Sequence, residues 1–145
     1  MKNFIFISPN FPTNYWMFCR ELKNNGLNVL GIGEQPYDEL LPELKESLNE
    51  YYKVDSLENY DSVYRAVAFF IFKHGRIDWL ESNNEYWLER DAALRTAFNI
   101  TSGFHTCDIP RIKFKSKMKE FYKKVNIPVA RYHLVDNYDN CKAFI

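Results

Sequence analysis

Between Arg111 and Lys124 the chain carries seven cationic residues and one acid, Glu120, although its 145 residues sum to a formal charge of zero. An ammonium is a compact point charge, so Lys115, Lys117, Lys119, Lys123 and Lys124 suit phosphate oxygens; they equally suit a helix face turned to water. A second set of candidates is neutral or acidic. Asn10 and Asn84 carry amides able to orient a substrate, and Glu85 a carboxylate able to hold an amine or a cation. Glu85 has a rival role, because Ser82 and Glu85 have the spacing of a capping box, in which the acid satisfies a backbone donor at a helix start. His105, Cys107 and Asp108 offer metal-ligating atoms in a short run. No second pair accompanies them and zinc usually takes three or four protein ligands, so no metal site is expected. His74 reads as a helix-end residue favoured by the helix dipole, and His133 as a sheet residue.

Such scattered side chains need a scaffold that gathers them, and the apolar pattern implies one. Residues 4–8 form an uninterrupted run of large and β-branched residues, as in a parallel strand covered on both faces. Thr13 or Asn14 then caps a helix with Tyr15, Phe18, Cys19 and Leu22 on one side, closed by Gly26. Residues 27–33 read as a second strand, a short helix starts near Pro42, and residues 51–54 read as a third, short strand. A helix from Asp61 or Ser62 turns Val63, Val67, Phe70 and Ile71 inward and ends at Gly75. Residues 76–82 read as a fourth strand, followed by a helix with Leu88, Ala92 and Phe98 inward and Trp87 and Leu94 flanking. Strands alternating with helices predict an α/β fold with a Rossmann-like open parallel sheet. Ligands in such sheets bind beyond the carboxyl ends of the strands, which singles out Ser8, Pro9 and Asn10, then Glu34, then residues 81–85.

Several function classes fall away. The first strand-to-helix turn, Ser8-Pro9-Asn10-Phe11-Pro12, has no glycine to let a pyrophosphate approach the backbone, so Glu34 is not expected to bind the ribose of a dinucleotide. No phosphate loop and no nucleophile elbow is present. Neutral overall charge argues against nucleic acid as a partner, and the longest apolar run is far shorter than the ~20 residues of a membrane span. Cys19, Cys107 and Cys141 are odd in number and widely spaced, as in a reduced, cytoplasmic protein.

After the connecting segment the chain reads Lys115-Ser116-Lys117-Met118-Lys119 on an amphipathic helix. Phe114, Met118, Phe121, Tyr122 and Val125 form its expected buried face, and Ile127-Pro128-Val129-Ala130-Arg131-Tyr132 follows, leading into a strand over residues 132–135 and a helix over 139–144. With the preceding α/β domain, and with Asn84-Glu85-Tyr86-Trp87-Leu88 at a helix start, this order resembles the N-terminal part of an ATP-grasp superfamily ligase. Biotin carboxylase, the large subunit of carbamoyl phosphate synthetase and carboxylate-amine ligases belong to that superfamily. The resemblance implies a preATP-grasp domain over residues 1–103, a connector over 104–112 and the beginning of an incomplete ATP-grasp domain over 113–145.

It also implies a role for Lys115, which lies thirteen positions before Pro128, the spacing of the family's first ATP-contacting lysine. Lys117 is the alternative. Phe114 stands where the family often has Asp, and Asn126 where it often has Gly; Asn tolerates the left-handed conformation that Gly supplies there. By the same resemblance, Glu85, Asn84 and Asn10 form part of the substrate wall, the substrate is a small carboxylate, and ATP and magnesium serve the intact ligase. The partner is the set of missing ATP-grasp domains, and these residues are not expected to catalyse by themselves. The rival reading is a non-catalytic α/β interaction or dimerisation module, motivated by an aromatic content of 17%, which leaves apolar surface for a second copy of the chain.

Overall fold

β1 (Asn3–Ile7) is buried at every position, and its side chains alternate between two apolar layers. Ile5 and Ile7 enter one layer with Leu30 and Ile32 of β2 (Asn28–Gly33), while Phe4 and Phe6 enter the other with Val29. Both faces are covered, so no polar residue follows Asn3 in the strand. The computed structural model describes residues 1–145 and places four strands in the order β3-β2-β1-β4, with β3 (Glu50–Lys53) and β4 (Trp79–Glu81) at the edges. Every neighbouring pair is parallel, and Ile5 stands opposite both Leu30 and Leu80. This is the open α/β sheet expected from the sequence.

The helices decide where a ligand can enter. α1 (Trp16–Asn24) and α2 (Pro42–Ser47) bring Cys19 and Leu44 to the Phe4 layer. α3 (Tyr60–His74) brings Val63, Ala66, Val67 and Phe70 to the Ile5 layer, and α4 (Leu88–Ala97) adds Leu94. The connections therefore run over one face from β1 to β3 and over the opposite face from β3 to β4. The direction of winding reverses between β1 and β4, and a crevice opens at such a point. Burial pushes the Cys19 thiol up to about 12, so it packs as an inert apolar group.

Capping differs from the sequence pattern in instructive ways. Gly26 (φ 78°) and Gly75 (φ 80°) follow α1 and α3 as expected, the second donating to Ile71 O at 2.8 Å. Neither Thr13 nor Asn14 caps α1; Tyr15 holds that position without a side-chain bond, because a turn from Pro12 already takes the Tyr15 amide at 3.0 Å. α3 begins at Tyr60, ahead of Asp61, since Asn59 Oδ1 accepts from Ser62 N at 3.2 Å. Leu94, expected to flank, is fully buried, whereas Leu88 and Phe98 are half-buried. A 3-10 turn over Glu85–Trp87 delays α4 and changes which of its sides faces the sheet.

The chain divides into two compact units, residues 1–106 and 107–145. The second contains α5 (Ile109–Lys113), α6 (Lys115–Lys124) and α7 (Tyr138–Phe144), so a helical turn lies within the expected connector. Phe114 is extended (ψ 112°) and separates α5 from α6. The apolar side of α6 is not the buried face that its periodicity predicts: Phe121 and Tyr122 are about two-fifths exposed, Val125 is 65% exposed, and only Met118 is half-buried without being exposed. Three short helices offer too little surface to cover it. Asn126 does take the left-handed conformation (φ 58°) after α6. The expected strand at residues 132–135 is absent, because a strand exists only by pairing and this unit holds no other strand. No helix is long and apolar enough to cross a membrane.

Candidate functional site

Parallel strands put all four carboxyl ends at one edge of the sheet, and the loops leaving β1, β2 and β4 meet there. Ser8 turns the chain out of β1 in a left-handed conformation (φ 57°), its amide still bonded to Ile32 O at 2.8 Å. Asn83 does the same after β4 (φ 54°), and its carbonyl accepts from the Tyr15 hydroxyl at 2.7 Å, tying the β4 loop to the start of α1. Left-handed non-glycine residues cost roughly 1 kcal/mol each and persist where surrounding contacts over-determine them. Between these loops lies a cleft of about 340 Å³, lined by Ser8, Asn10, Phe11, Glu34, Leu57, Asn84, Tyr86 and Trp87. It occupies the place where open α/β sheets take their ligands.

The chemistry of the cleft is that of hydrogen-bond acceptors between aromatic walls. Asn10 Oδ1 is buried and has no hydrogen-bond partner in the chain. Such an acceptor costs about 1–3 kcal/mol until a donor reaches it. Gly33 makes room for it, since a Cβ there would stand 3.0 Å from Asn10 Oδ1 and 2.5 Å from the Tyr51 hydroxyl. Glu34 Oε1 accepts from the Leu57 amide at 2.5 Å, which fixes the carboxylate at the cleft. Tyr51 donates to Gln35 O at 2.8 Å; burial, then the Glu34 charge, push its hydroxyl up to about 12 and keep it a neutral donor. Asn84 Oδ1 accepts from Tyr86 N at 2.9 Å and so caps the 3-10 turn. Tyr86 donates to Glu58, whose second oxygen pairs with Arg90 at 3.4 Å.

Of the residues singled out from sequence, Asn10 and Asn84 are brought together in this cleft. Glu85 is exposed on the 3-10 turn and does not line it. Nor does Glu85 share a capping box with Ser82: the Ser82 amide and hydroxyl both donate to Asp91 Oδ2, at 2.9 and 2.6 Å, and Asn84 takes the capping role. Lys115 and Lys117 lie in the other unit. Lys115 is exposed on the first turn of α6, and Lys117 Nζ sits 3.2 Å from Glu120 Oε1. His74 meets Glu50 Oε2 at 2.7 Å, and His133 lies outside any strand.

Sequence reasoning missed the polar group that braces the β4 loop. Asp91 and Arg95 are fully buried. Arg95 Nε donates to Leu80 O at 2.8 Å, one terminal nitrogen to Phe104 O at 2.8 Å and the other to Glu81 Oε2 at 2.6 Å. A signal was available: Leu88, Asp91, Ala92 and Arg95 recur at the spacing of one helix face, so two charges fall among core positions.

No family model matches the sequence, and no curated protein matches it. Among solved structures, the crystal structure of an L-amino acid ligase from Bacillus licheniformis superimposes on 93% of this chain with a TM-score of 0.66 and 16% sequence identity. The match spans 34% of that ligase, so this chain is about a third of its length. At such identity the likeness is one of fold: the open α/β sheet and its helices are an arrangement also found in a ligase.

Proposed function

We propose that residues 1–145 are the N-terminal, substrate-side part of an ATP-grasp ligase that activates a carboxylate as an acyl phosphate and joins it to an amine. The observation that carries this reading is the match of nearly the whole chain to one third of an L-amino acid ligase. In this reading residues 1–103 are the preATP-grasp domain, 104–112 a connector and 113–145 the opening of the ATP-grasp domain, with the remainder of the ligase as partner. The cleft supports an amine-bearing substrate, because Glu34 supplies a negative charge and Asn10 Oδ1 an unmet acceptor, and both call for an N–H donor. Phe11 and Trp87 offer apolar walls to the rest of the molecule.

The first turn of α6 fits a nucleotide phosphate. It has no acid and no side-chain cap, so its amide donors and the Lys115 ammonium act in the same sense. ATP supplies the phosphoryl group that makes the carboxylate reactive. Magnesium, which accompanies it, takes its acidic ligands from outside α6 in this reading, since Glu120 is the single acid there and pairs with Lys117.

The test is amino-acid-dependent release of ADP by the native protein that contains these residues. Glu34→Gln is expected to raise KM for the amine substrate roughly 10- to 100-fold with kcat little changed, corresponding to the loss of one charge-assisted bond of about 1.5–3 kcal/mol. Lys115→Ala is expected to raise KM for ATP by about tenfold, with Lys117→Ala as the comparison. ADP release indifferent to amino acids, or unchanged kinetics in Glu34→Gln and in both lysine variants, would sink the reading.

A further inference from the structure

His133, Asp136 and Cys141 bring three different metal-ligating atoms within 4.8 Å of one another: an imidazole nitrogen, a carboxylate oxygen and a thiol sulfur. All three come from one short stretch around the start of α7. Asn137 caps that helix by accepting from Asn140 N at 2.9 Å, which places Asp136 just ahead of the cap and Cys141 on the first turn. The Asp136 carboxylate is held from both sides, Oδ1 by the Asn137 amide at 2.7 Å and Oδ2 by the Asn140 side chain at 2.8 Å. The His133 ring stacks on Phe144, with centroids 5.7 Å apart. The carboxylate therefore has the hydrogen-bonding neighbours that ligands of metal sites usually have, and the imidazole is positioned by stacking.

We propose that His133, Asp136 and Cys141 form a binding site for a zinc-class divalent cation. Tetrahedral zinc, with bonds of about 2.0 Å to nitrogen or oxygen and 2.3 Å to sulfur, separates its donor atoms by roughly 3.3–3.6 Å. His133 Nε2 and Asp136 Oδ1 are already 3.2 Å apart. The Cys141 sulfur lies within 4.8 Å of both atoms, so binding requires it to move closer. The thiol loses its proton to solvent on binding, so thiolate and carboxylate together balance the charge of the ion. Sulfur and imidazole select a borderline metal over magnesium or calcium, which prefer oxygen alone. Three protein ligands leave a fourth position for water or for an atom of a substrate. The ion would fasten residues 133–136 to α7, in a unit with little apolar core of its own.

Cobalt(II) is the probe, because its thiolate complexes absorb in the near ultraviolet and its tetrahedral complexes absorb intensely in the visible. Titration of the reduced 145-residue chain is expected to give both bands, saturating at one equivalent and bleached by one equivalent of zinc. Cys141→Ser is expected to abolish the near-ultraviolet band while Cys107→Ser leaves it intact. His133→Ala is expected to weaken binding at least about tenfold, and Asn140→Ala, which frees Oδ2 of the Asp136 carboxylate while Oδ1 stays on the Asn137 amide, to weaken it by less. Absence of both bands at excess cobalt, or a band that survives Cys141→Ser, would overturn the proposal. Far-ultraviolet circular dichroism of each variant separates loss of a ligand from loss of fold.

Discussion

Arg95→Ala is expected to cost the 1–106 unit about 3 kcal/mol of unfolding free energy, read from urea melts followed by tryptophan fluorescence. The guanidinium is 1% exposed and serves three acceptors, the carbonyls of Leu80 and Phe104 and the carboxylate of Glu81. Removing one member of a buried pair leaves its partners desolvated and unmatched, at about 3–5 kcal/mol. The lower end applies because the Glu81 side chain is 35% exposed and can turn toward water. Gly103 records how closely the chain wraps this group: it is left-handed (φ 82°), and a Cβ there would stand 2.9 Å from Arg95 Nε. Arg95→Lys keeps the charge but cannot reach three acceptors in one plane, so it is expected to recover less than half of the loss. A change below about 1 kcal/mol in Arg95→Ala, the value of one ordinary hydrogen bond, would mean that the network contributes nothing beyond packing. The consequence reaches the site, since Arg95 anchors the carboxyl end of β4, from which the loop carrying Asn84 departs.

The elements that a local pattern can encode were legible in the sequence. Phe4 to Ile7 admit no polar residue because both faces of β1 are covered, and that pattern alone distinguishes a central strand. Asn10 and Asn84 could be located because the carboxyl edge of a parallel sheet follows from the strand order of the sequence. What was not legible depends on partners far along the chain. Ser82 and Glu85 have the spacing of a capping box, yet Asp91, nine positions on, takes both donors of Ser82. Glu34 looked like a ribose acid without its glycines; the Leu57 amide, 23 positions away, fixes it at the cleft. Periodicity could assign an apolar face to α6 but could not say what covers it. The strand expected at residues 132–135 likewise needs a neighbouring strand, and its unit holds none.

Asp91→Asn is expected to become progressively more stable than the wild-type chain as pH rises from about 4 to about 8. Burial, opposed by the Ser82 hydroxyl bond and aided by the Glu81 charge, pushes the Asp91 carboxyl from 3.8 up to about 7. Arg95 and the Ser82 amide pull the other way. The sign follows from proton counts: between 3.8 and about 7 the folded chain holds a proton here that the unfolded chain has released, so wild-type stability falls with pH across that window. Below it both states are protonated, and above it both are ionised and the loss is complete, on the order of 4 kcal/mol. Asparagine keeps the shape and an oxygen for both Ser82 donors but cannot ionise. Subtracting its melting curves from those of the wild type at each pH removes the titration of every other group. A difference that stays flat would mean that the carboxylate remains charged throughout, held by Arg95 and by the two Ser82 donors. A difference that grows would mean that the loop carrying Asn84 is fastened by a group that changes charge near neutrality. In that case the cleft is held most firmly below the Asp91 transition, and substrate affinity should decline with the same midpoint.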